Sequence, residues 1–490
     1  MGASAEGGVN AGVSNPISPD QGNSTGLAMD WRTELSGLLG GRVCADELLR
    51  EELATDFGRV SERKPAAVVR PQSAQDIAAA LRFAGNHSVA VTAHGAGHSQ
   101  NGQSLSSEVL LDMRGLDKIV RIDPERRIAV CQAGITWRAL LRSLLPLQLS
   151  PPVLTNNLDA TVGGTLSTAG IGVASWKRGI QADRCLELEV VTAQGEVVRC
   201  SSQENAELFN AVRAGLGQFG VITEVALELR RHRTSFRSFY LLYDDLAALL
   251  NDLRLLMDDG RFDYLESWST PLVQGFRNMN GRAEPLAQWF YPLHVTAEID
   301  GPLEPEFAAP LDGLEFYKHV HTEQGEMGDY LTRLDPLFAL WKRGGFWAYA
   351  HPWMECILPW SAASSYIPRI LQQIPPQMLQ GGHVLLWPAR SSFCSVPLFI
   401  RPEEEYLLGF GILLAVPKPL LSNVLPVLEQ ASEAAMRLGG KRYLSGWLNF
   451  DSDSWKSHYG SLWTQIVDLK ERYDPLRILN PEFLHAARAS

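Results

Sequence analysis

The chain has little of what a metal, membrane or nucleic-acid protein needs. Its six cysteines, Cys44, Cys131, Cys185, Cys200, Cys356 and Cys394, are scattered, with no C-x-x-C pair and no histidine at ligand spacing. No metal site is expected, and the thiols are expected to be reduced and buried. No basic run occurs, and the formal net charge is −11, which argues against a surface built for nucleic-acid phosphates. The longest apolar stretches, such as 406–416, are too short to cross a bilayer. Residues 1–28 are rich in Gly, Ser and Asn, without the apolar and charged regions of a secretory signal, and read as a disordered tail. Met1-Gly2 opens like a myristoylation signal, but Glu6 stands where Ser or Thr is wanted. These absences lead to the expectation of a cytoplasmic protein that meets a small molecule and neither nucleic acid nor membrane.

What is present is enough for a large core. The chain has 490 residues, 45% of them hydrophobic, and more than one domain is expected. From Ala66 short apolar runs alternate with helical stretches. Strands are expected at 66–69, 89–92, 109–112, 128–131 and 221–229, with a hairpin from 186–192 and 197–200 around Gln194-Gly195. Helices are expected from the Ser73 cap to Gly85, over 136–145 and over 205–214. Near Arg230 the texture changes to prolines, tryptophans and longer helices. Strands at 236–243, 384–387 and 406–416 would belong to a second sheet, followed by helices over 419–438 and 455–473. The fold class is α+β, with two domains.

Three glycine loops carry the chemistry. His94-Gly95-Ala96-Gly97-His98-Ser99-Gln100-Asn101-Gly102-Gln103 follows a strand, and its glycines let backbone N–H groups approach an anion such as pyrophosphate. Thr161-Val162-Gly163-Gly164-Thr165-Leu166-Ser167-Thr168-Ala169-Gly170 repeats that logic with added hydroxyls. Gly215-Leu216-Gly217-Gln218-Phe219-Gly220 matches G-x-G-x-x-G, yet it follows a helix and opens a strand, the reverse of the Rossmann arrangement, so a Rossmann site is rejected. Its glycines instead permit close passage beside a flat ligand or a packed neighbour.

In this order the loops resemble those of the vanillyl-alcohol oxidase superfamily, with its PCMH-type FAD-binding domain, and within it cytokinin dehydrogenase. His351-Pro352-Trp353 and Tyr473-Asp474-Pro475 with Ile478-Leu479 are similar to that family as well. The resemblance covers roughly 60–485. It implies an FAD-binding domain over 29–231, a second α+β substrate domain over 232–440, and a segment over 441–490 returning to the first. By the same resemblance His98 bonds covalently to the flavin 8α carbon, and Ser99, Gln103 and the backbone of Gly95, Ala96, Gly97 and His98 cradle the pyrophosphate. Thr161, Gly163, Gly164, Ser167, Ile171 and Ile222 match positions along FAD, and Tyr443 matches a tyrosine near the ring. A neutral imidazole is a competent nucleophile. His94, where relatives often carry Arg, is the competing histidine. Some relatives add a second link through a cysteine; Asn157 stands there, so a single link is expected.

The chain also departs from the family. Asn156 occupies the place of an aspartate that accepts a hydrogen bond from the substrate amine, and an amide is no base near neutral pH. Asp159 lies three residues on, at the wrong spacing to replace it. Relatives often read Ser-Pro-Gly-Gln where this chain has Asn480-Pro481-Glu482-Phe483. Glu266 resembles a carboxylate near the substrate entrance. Trp268, Trp289, Trp341, Trp347, Trp353 and Trp387 are available for an aromatic pocket or for ordinary core. The expected function is FAD-dependent removal of hydride from a C–H next to O or N of a small organic or natural-product substrate, with oxygen or another acceptor reoxidising the flavin. Amine oxidation as in cytokinin dehydrogenase, and flavin binding without turnover, are the alternatives. Asn156, Glu266 and Tyr443 are the candidate catalytic residues.

Overall fold

The computed structural model describes residues 30–279, 281–301, 309–379 and 381–484. The tail expected over 1–28 lies outside them. The first sheet contains β1 (Val43–Cys44), β2 (Ala67–Val69), β3 (Val91–His94) and β4 (Val109–Asp112), in the order β1-β2-β4-β3. β2 and β3 both run parallel to β4. The crossover helix Ala74–His87 starts at Ser73, whose hydroxyl accepts the Asp76 N–H at 3.2 Å. Ile77, Leu81 and Ala84 recur at helical spacing and are buried with Val69, Val91 and Leu111.

The second sheet is antiparallel. It takes β5 (Ile119–Asp123) and β6 (Ile128–Gln132) and, past the short β7 (Leu149–Ser150), β8 (Cys185–Val191), β9 (Val197–Ser201) and β10 (Val221–Glu228). Its order is β5-β6-β10-β8-β9. The expected hairpin is β8–β9. β11 (Arg230–Arg231) pairs with β7 as the chain leaves this region.

The third sheet is larger than the sequence implied. β12 (Ser235–Tyr243), β13 (Tyr264–Met279), β14 (Arg282–Ile299), β15 (Lys318–Glu326), β16 (Met354–Pro359), β17 (His383–Arg390), β18 (Tyr406–Leu413) and β19 (Lys441–Arg442) pair in the order β15-β12-β14-β13-β17-β18-β16-β19. Side-chain alternation gives it two different faces. Met354, Cys356, Leu386 and Phe410 enter a core shared with the helices Leu246–Asp259, Trp360–Gln373 and Leu421–Arg437. The intervening His383, Leu385, Trp387 and Leu413 line a cavity on the opposite face.

The chain then returns to the first sheet. Val91 bridges Leu479 in parallel, its N–H donating to the Ile478 carbonyl at 2.7 Å and its own carbonyl accepting from Asn480 N–H at 2.9 Å. Asp474 fixes this turn by accepting the Ile478 and Leu479 N–H groups at 2.9 Å and pairing with the buried Lys470 at 2.8 Å. Two boundaries differ from the sequence reading. The stretch 455–473 is two helices, Ser452–Tyr459 and Trp463–Tyr473, because Gly460 turns to φ 54° between them. The strand begun at Tyr406 ends at Leu413, and Val416 makes only an isolated bridge to Ala350. Among the described residues no helix is long and apolar enough to cross a membrane.

Candidate active site

The first glycine loop leaves β3 and is shaped from outside. Asp56 accepts hydrogen bonds from Gly102 N–H at 2.7 Å, Ser99 Oγ at 3.1 Å and Arg59 N–H at 3.2 Å. The next two residues continue the grip, with Phe57 N–H on the Gly97 carbonyl at 2.7 Å and Gly58 N–H on the Ser99 carbonyl at 3.0 Å. Burial pushes the Asp56 carboxyl up to about 6, against the hydrogen bonds it accepts. Gly97 takes φ 63°, and a Cβ there would meet the His94 ring at 2.8 Å. A Cβ at Gly95 would fall 2.2 Å from Thr161 Oγ1, so the first two loops touch only because glycine stands there.

The two histidines of this loop part company. His94 is buried behind the loop, its Nδ1 3.0 Å from the Ser104 carbonyl, and does not line the cavity. His98 does line it. Its ring packs on Phe57 at 4.3 Å and edge-on to Trp353 at 5.9 Å, and Phe57 in turn stacks on His351 at 4.1 Å. Burial, and then the neighbouring His351, lower the His98 pKa to about 4, so its imidazole is neutral at pH 7.

The second loop enters the cavity as the short helix Val162–Ser167, and Thr161, Gly163, Gly164 and Ser167 all line it, as does Ile171. A Cβ at Gly163 would lie 2.7 Å from that of Ala133. The third loop passes from the helix Ala206–Val212 into β10, the reversed context read from the sequence, and brings Leu216, Gly217 and Ile222 to the wall. Non-glycine residues here hold left-handed backbone: Ala214 at φ 57°, Leu216 at 54° and, from the C-terminal turn, Asn480 at 44°. Such conformations persist only where the surroundings enforce them. Asn480 supplies that enforcement, its Nδ2 donating at 3.0 Å to the carbonyls of both Gln103 and Leu216. The departure from the family's Ser-Pro-Gly-Gln therefore falls on a residue that ties the first loop to the third.

Gly95, Ala96, Gly97, Ser99 and Gln103 line the same cavity, but two side chains are already engaged. Ser99 Oγ serves Asp56. Gln103 Nε2 donates to the carbonyls of Leu444, Ser445 and Gly446 at 2.8–3.1 Å. These bonds fasten the loop to the turn after Tyr443, leaving ligand contacts there to backbone N–H groups.

The cavity-facing side of the third sheet forms the far wall. Tyr443 is buried, and its hydroxyl donates to the Ala169 carbonyl at 3.1 Å. Glu266 on β13 accepts from Asn156 Nδ2 at 2.9 Å, and Arg333 donates to both Glu266 (3.3 Å) and Asn156 Oδ1 (3.2 Å). Burial alone would raise the Glu266 pKa, but the Arg333 charge, His294 and the Asn156 bond hold it below the usual value. Glu266 is thus a charged, paired carboxylate. Asp159 instead pairs with Arg138 at 2.5 Å and is half exposed. Of the tryptophans, Trp268, Trp341, Trp353 and Trp387 line the cavity; Trp347 stacks near His98 at 6.4 Å, and Trp289 packs on the opposite core. Sequence reasoning missed Asp56, Phe57 and Arg333, which belong to no loop motif; only their position beside the motifs in space marks them.

The arrangement fits FAD. Three glycine loops line one cavity, the first two in contact only because Gly95 lacks a Cβ, and they offer backbone donors to a pyrophosphate, while an aromatic and aliphatic wall lines the same cavity. Among the described residues no cluster of His, Cys, Asp and Glu could hold a metal ion.

Comparison with known proteins agrees with this geometry. Residues 65–201 match the FAD binding domain family, and residues 291–483 match the family described as cytokinin dehydrogenase 1, FAD and cytokinin binding. The chain is 29% identical over 440 residues to an uncharacterized oxidoreductase, ORF5 of the fasciation locus of Rhodococcoides fascians, covering 89% of this chain and 97% of that one. It is 30% identical over 460 residues to cytokinin dehydrogenase 9 of Oryza sativa subsp. japonica, covering 87% of each. It is also 30% identical over 487 residues to cytokinin dehydrogenase 1 of Arabidopsis thaliana, covering 92% of this chain and 84% of the other. The chain is an FAD-dependent oxidoreductase and belongs to the cytokinin dehydrogenase family.

Proposed function

We propose that this enzyme carries FAD on one covalent bond from His98 and oxidises a C–H next to nitrogen or oxygen in a small, uncharged organic substrate. The observation that carries the reading is convergence: the residues singled out in three separate loops, with Asn156, Glu266 and Tyr443, line one cavity. Residues 29–231 and about 441–490 hold the cofactor, and 232–440 cover its ring. When bound, FAD would supply the hydride acceptor and the route for electrons to oxygen or another acceptor. The protein's part is orientation. His98, neutral and packed on Phe57, presents a nucleophilic imidazole at the cavity wall. Backbone N–H groups of the loop Gly95–His98 receive the phosphates. Glu266, kept charged by Arg333, accepts a hydrogen bond from a substrate N–H or O–H. Six unpaired cysteines, five of them buried, support the cytoplasmic reading.

Two substrate classes remain. The named relatives favour an amine substrate of the cytokinin type. The Asn156 amide favours an alcohol or natural-product intermediate, because its nitrogen already serves Glu266 and its oxygen Arg333. Acid precipitation of the purified protein tests the covalent link: a yellow pellet is expected, and colour in the supernatant refutes it. Anaerobic addition of N6-isopentenyladenine tests the amine class by flavin bleaching. If no substrate in a broad amine and alcohol panel bleaches a flavin that dithionite reduces, flavin binding without turnover is the correct reading.

A further inference from the structure

One acid of the cavity wall, Glu355 on β16, has no side-chain hydrogen bond or ion pair among the described residues. It is 7% exposed and lies in a cross-strand row with Gly411 of β18, Leu385 of β17 and Trp268 of β13. Glu355, Leu385 and Trp268 line the cavity. Glycines flank the carboxyl. A Cβ at Gly411 would lie 3.3 Å from Glu355 Cγ and 3.7 Å from Oε1, and one at Gly446 would lie 3.6 Å from Oε2. Neither neighbour has a side chain to cover the acid, which stays open to the cavity.

The charged and titratable groups around it are engaged elsewhere. On β19, Arg442 directs Nε to the Glu355 backbone carbonyl at 3.1 Å and its other nitrogens to Ser432 Oγ and the Trp447 carbonyl. The Tyr443 hydroxyl is committed to Ala169. β18 offers only Gly411 opposite. On β17, His383 shares the cavity, and burial lowers it to about 4, so it is neutral. Glu266 and Arg333 lie beyond three strand spacings, roughly 14 Å across the sheet at about 4.8 Å per spacing. That gap is too wide for Glu266 to share a proton with Glu355. Among the described residues no side chain donates to either Glu355 oxygen.

A buried carboxyl kept only for structure is hydrogen-bonded or paired. Glu355 is neither. Burial pushes it up to about 7, the Arg442 charge opposing only in part. A base poised near the working pH is what proton abstraction requires. Asn156 has no basic atom, and the Glu266 carboxylate is held by Arg333.

We propose that Glu355 is the proton acceptor of the oxidation. It takes the proton of the substrate O–H or N–H as the adjacent C–H leaves with its electron pair, as hydride, to the bound flavin. The product gains a C=O or C=N bond, and Glu355 becomes a carboxylic acid that returns its proton to solvent before the next turnover. This assignment rests on the oxidoreductase reading above.

The test compares the holoenzyme with Glu355→Gln, which keeps the shape and removes the base. Beside the Asp56 band lost near pH 6, infrared difference spectra between about pH 5 and about pH 9 are expected to show in the wild type a second buried carboxylic acid band that disappears near pH 7, and E355Q is expected to lack this second band. Persistence of the second band in E355Q overturns the proposal. Stopped-flow anaerobic reduction by N6-isopentenyladenine is expected to accelerate through pH 7 in the wild type, and to be at least about 100-fold slower and flat in E355Q. An unchanged rate and profile in E355Q also overturns it. If the probe fails to reduce even the wild type while dithionite succeeds, the amine reading falls, and the infrared result alone decides Glu355.

Discussion

The side-chain amide of Asn157 lies 3.3 Å from Nδ1 of His98, linking the approach to the second glycine loop with the first. Its orientation is fixed, because Asn157 Oδ1 accepts the Asp159 N–H at 3.0 Å. The amide nitrogen can only donate, so Nδ1 is the unprotonated nitrogen of a neutral ring. His98→Ala should therefore give a colourless acid pellet, and His94→Ala a yellow one. Asn157→Ala should still form the bond, but roughly 5- to 10-fold more slowly, as expected for one hydrogen bond of about 1 kcal/mol. Covalent flavin per mole of protein, followed over time after adding FAD to apoprotein, measures all three.

Asp56 is the organiser of the first loop, and the variants Asp56→Ala and Asp56→Asn separate its two contributions. Alanine takes the acceptor from the buried Gly102 N–H and leaves the Ser99 hydroxyl with Ser104 Oγ alone, which should cost about 2–3 kcal/mol in urea unfolding. Asparagine retains one acceptor and should cost less than half of that. Flavin retention on gel filtration should fall in the same order.

Most of the first two sheets was readable, from short apolar runs bounded by turn residues, from Ile77, Leu81 and Ala84 on one helix, and from the β8–β9 hairpin turning at Gln194-Gly195; β1, only two residues long, and β5, half exposed, were not. The third sheet was largely hidden, for three reasons. β16 is buried at every position from Met354 to Pro359, so alternation vanishes. β15 is almost wholly exposed, so Lys318-His319-Val320-His321 carries no buried apolar face to mark a strand. β13 and β14 carry Pro271, Pro285 and Pro292 along strands far longer than usual. The site was legible where glycine and histidine carry the chemistry. Asp56, Arg333 and Glu355 were not, because nothing in their local sequence distinguishes them from ordinary acids and bases.

Glu266 and Arg333 form a pair in which the Glu266 side chain is 5% exposed. Arg333→Met should destabilise the protein by about 3 kcal/mol near pH 8, since it leaves a buried carboxylate without its cationic partner. Adding Glu266→Gln removes that charge and should restore most of the loss. A double-mutant cycle by urea denaturation gives the coupling, and a coupling near zero would remove the pair from the account of this wall.

Gly409 sets the flatness of the far wall. A Cβ there would fall 1.7 Å from Cε2 of Trp387, within the indole itself. Gly409→Ala must displace that ring, at a cost of about 1–3 kcal/mol. Because Trp387 lines the cavity, the variant should also weaken flavin binding and alter the quenching of tryptophan fluorescence by flavin. Gly411→Ala, two residues along the strand, meets its nearest neighbour at 3.2 Å and should be milder. Thermal melts of the two apoproteins rank them.

Glu355 should leave a mark on stability as well as on catalysis. Its pKa is raised from 4.5 to about 7 in the fold, so between those values the folded protein holds a proton that the unfolded chain releases. The protonated acid therefore favours folding fully below about pH 4.5, and this contribution is lost as pH rises through 7. Buried histidines oppose the trend: burial lowers His98, His351 and His383 to about 4, so their protonation below pH 6.5 favours unfolding. The wild-type profile mixes both effects, and only the difference between the wild type and Glu355→Gln isolates the acid. That difference should grow in favour of E355Q from about pH 5 to about pH 8. It should reach about 3 kcal/mol, since each tenfold change in proton affinity is worth about 1.4 kcal/mol. Urea denaturation of the apoproteins at several pH values measures it. A difference that stays constant over this range would mean that Glu355 is ionised throughout, and its assignment as proton acceptor would lose its energetic basis.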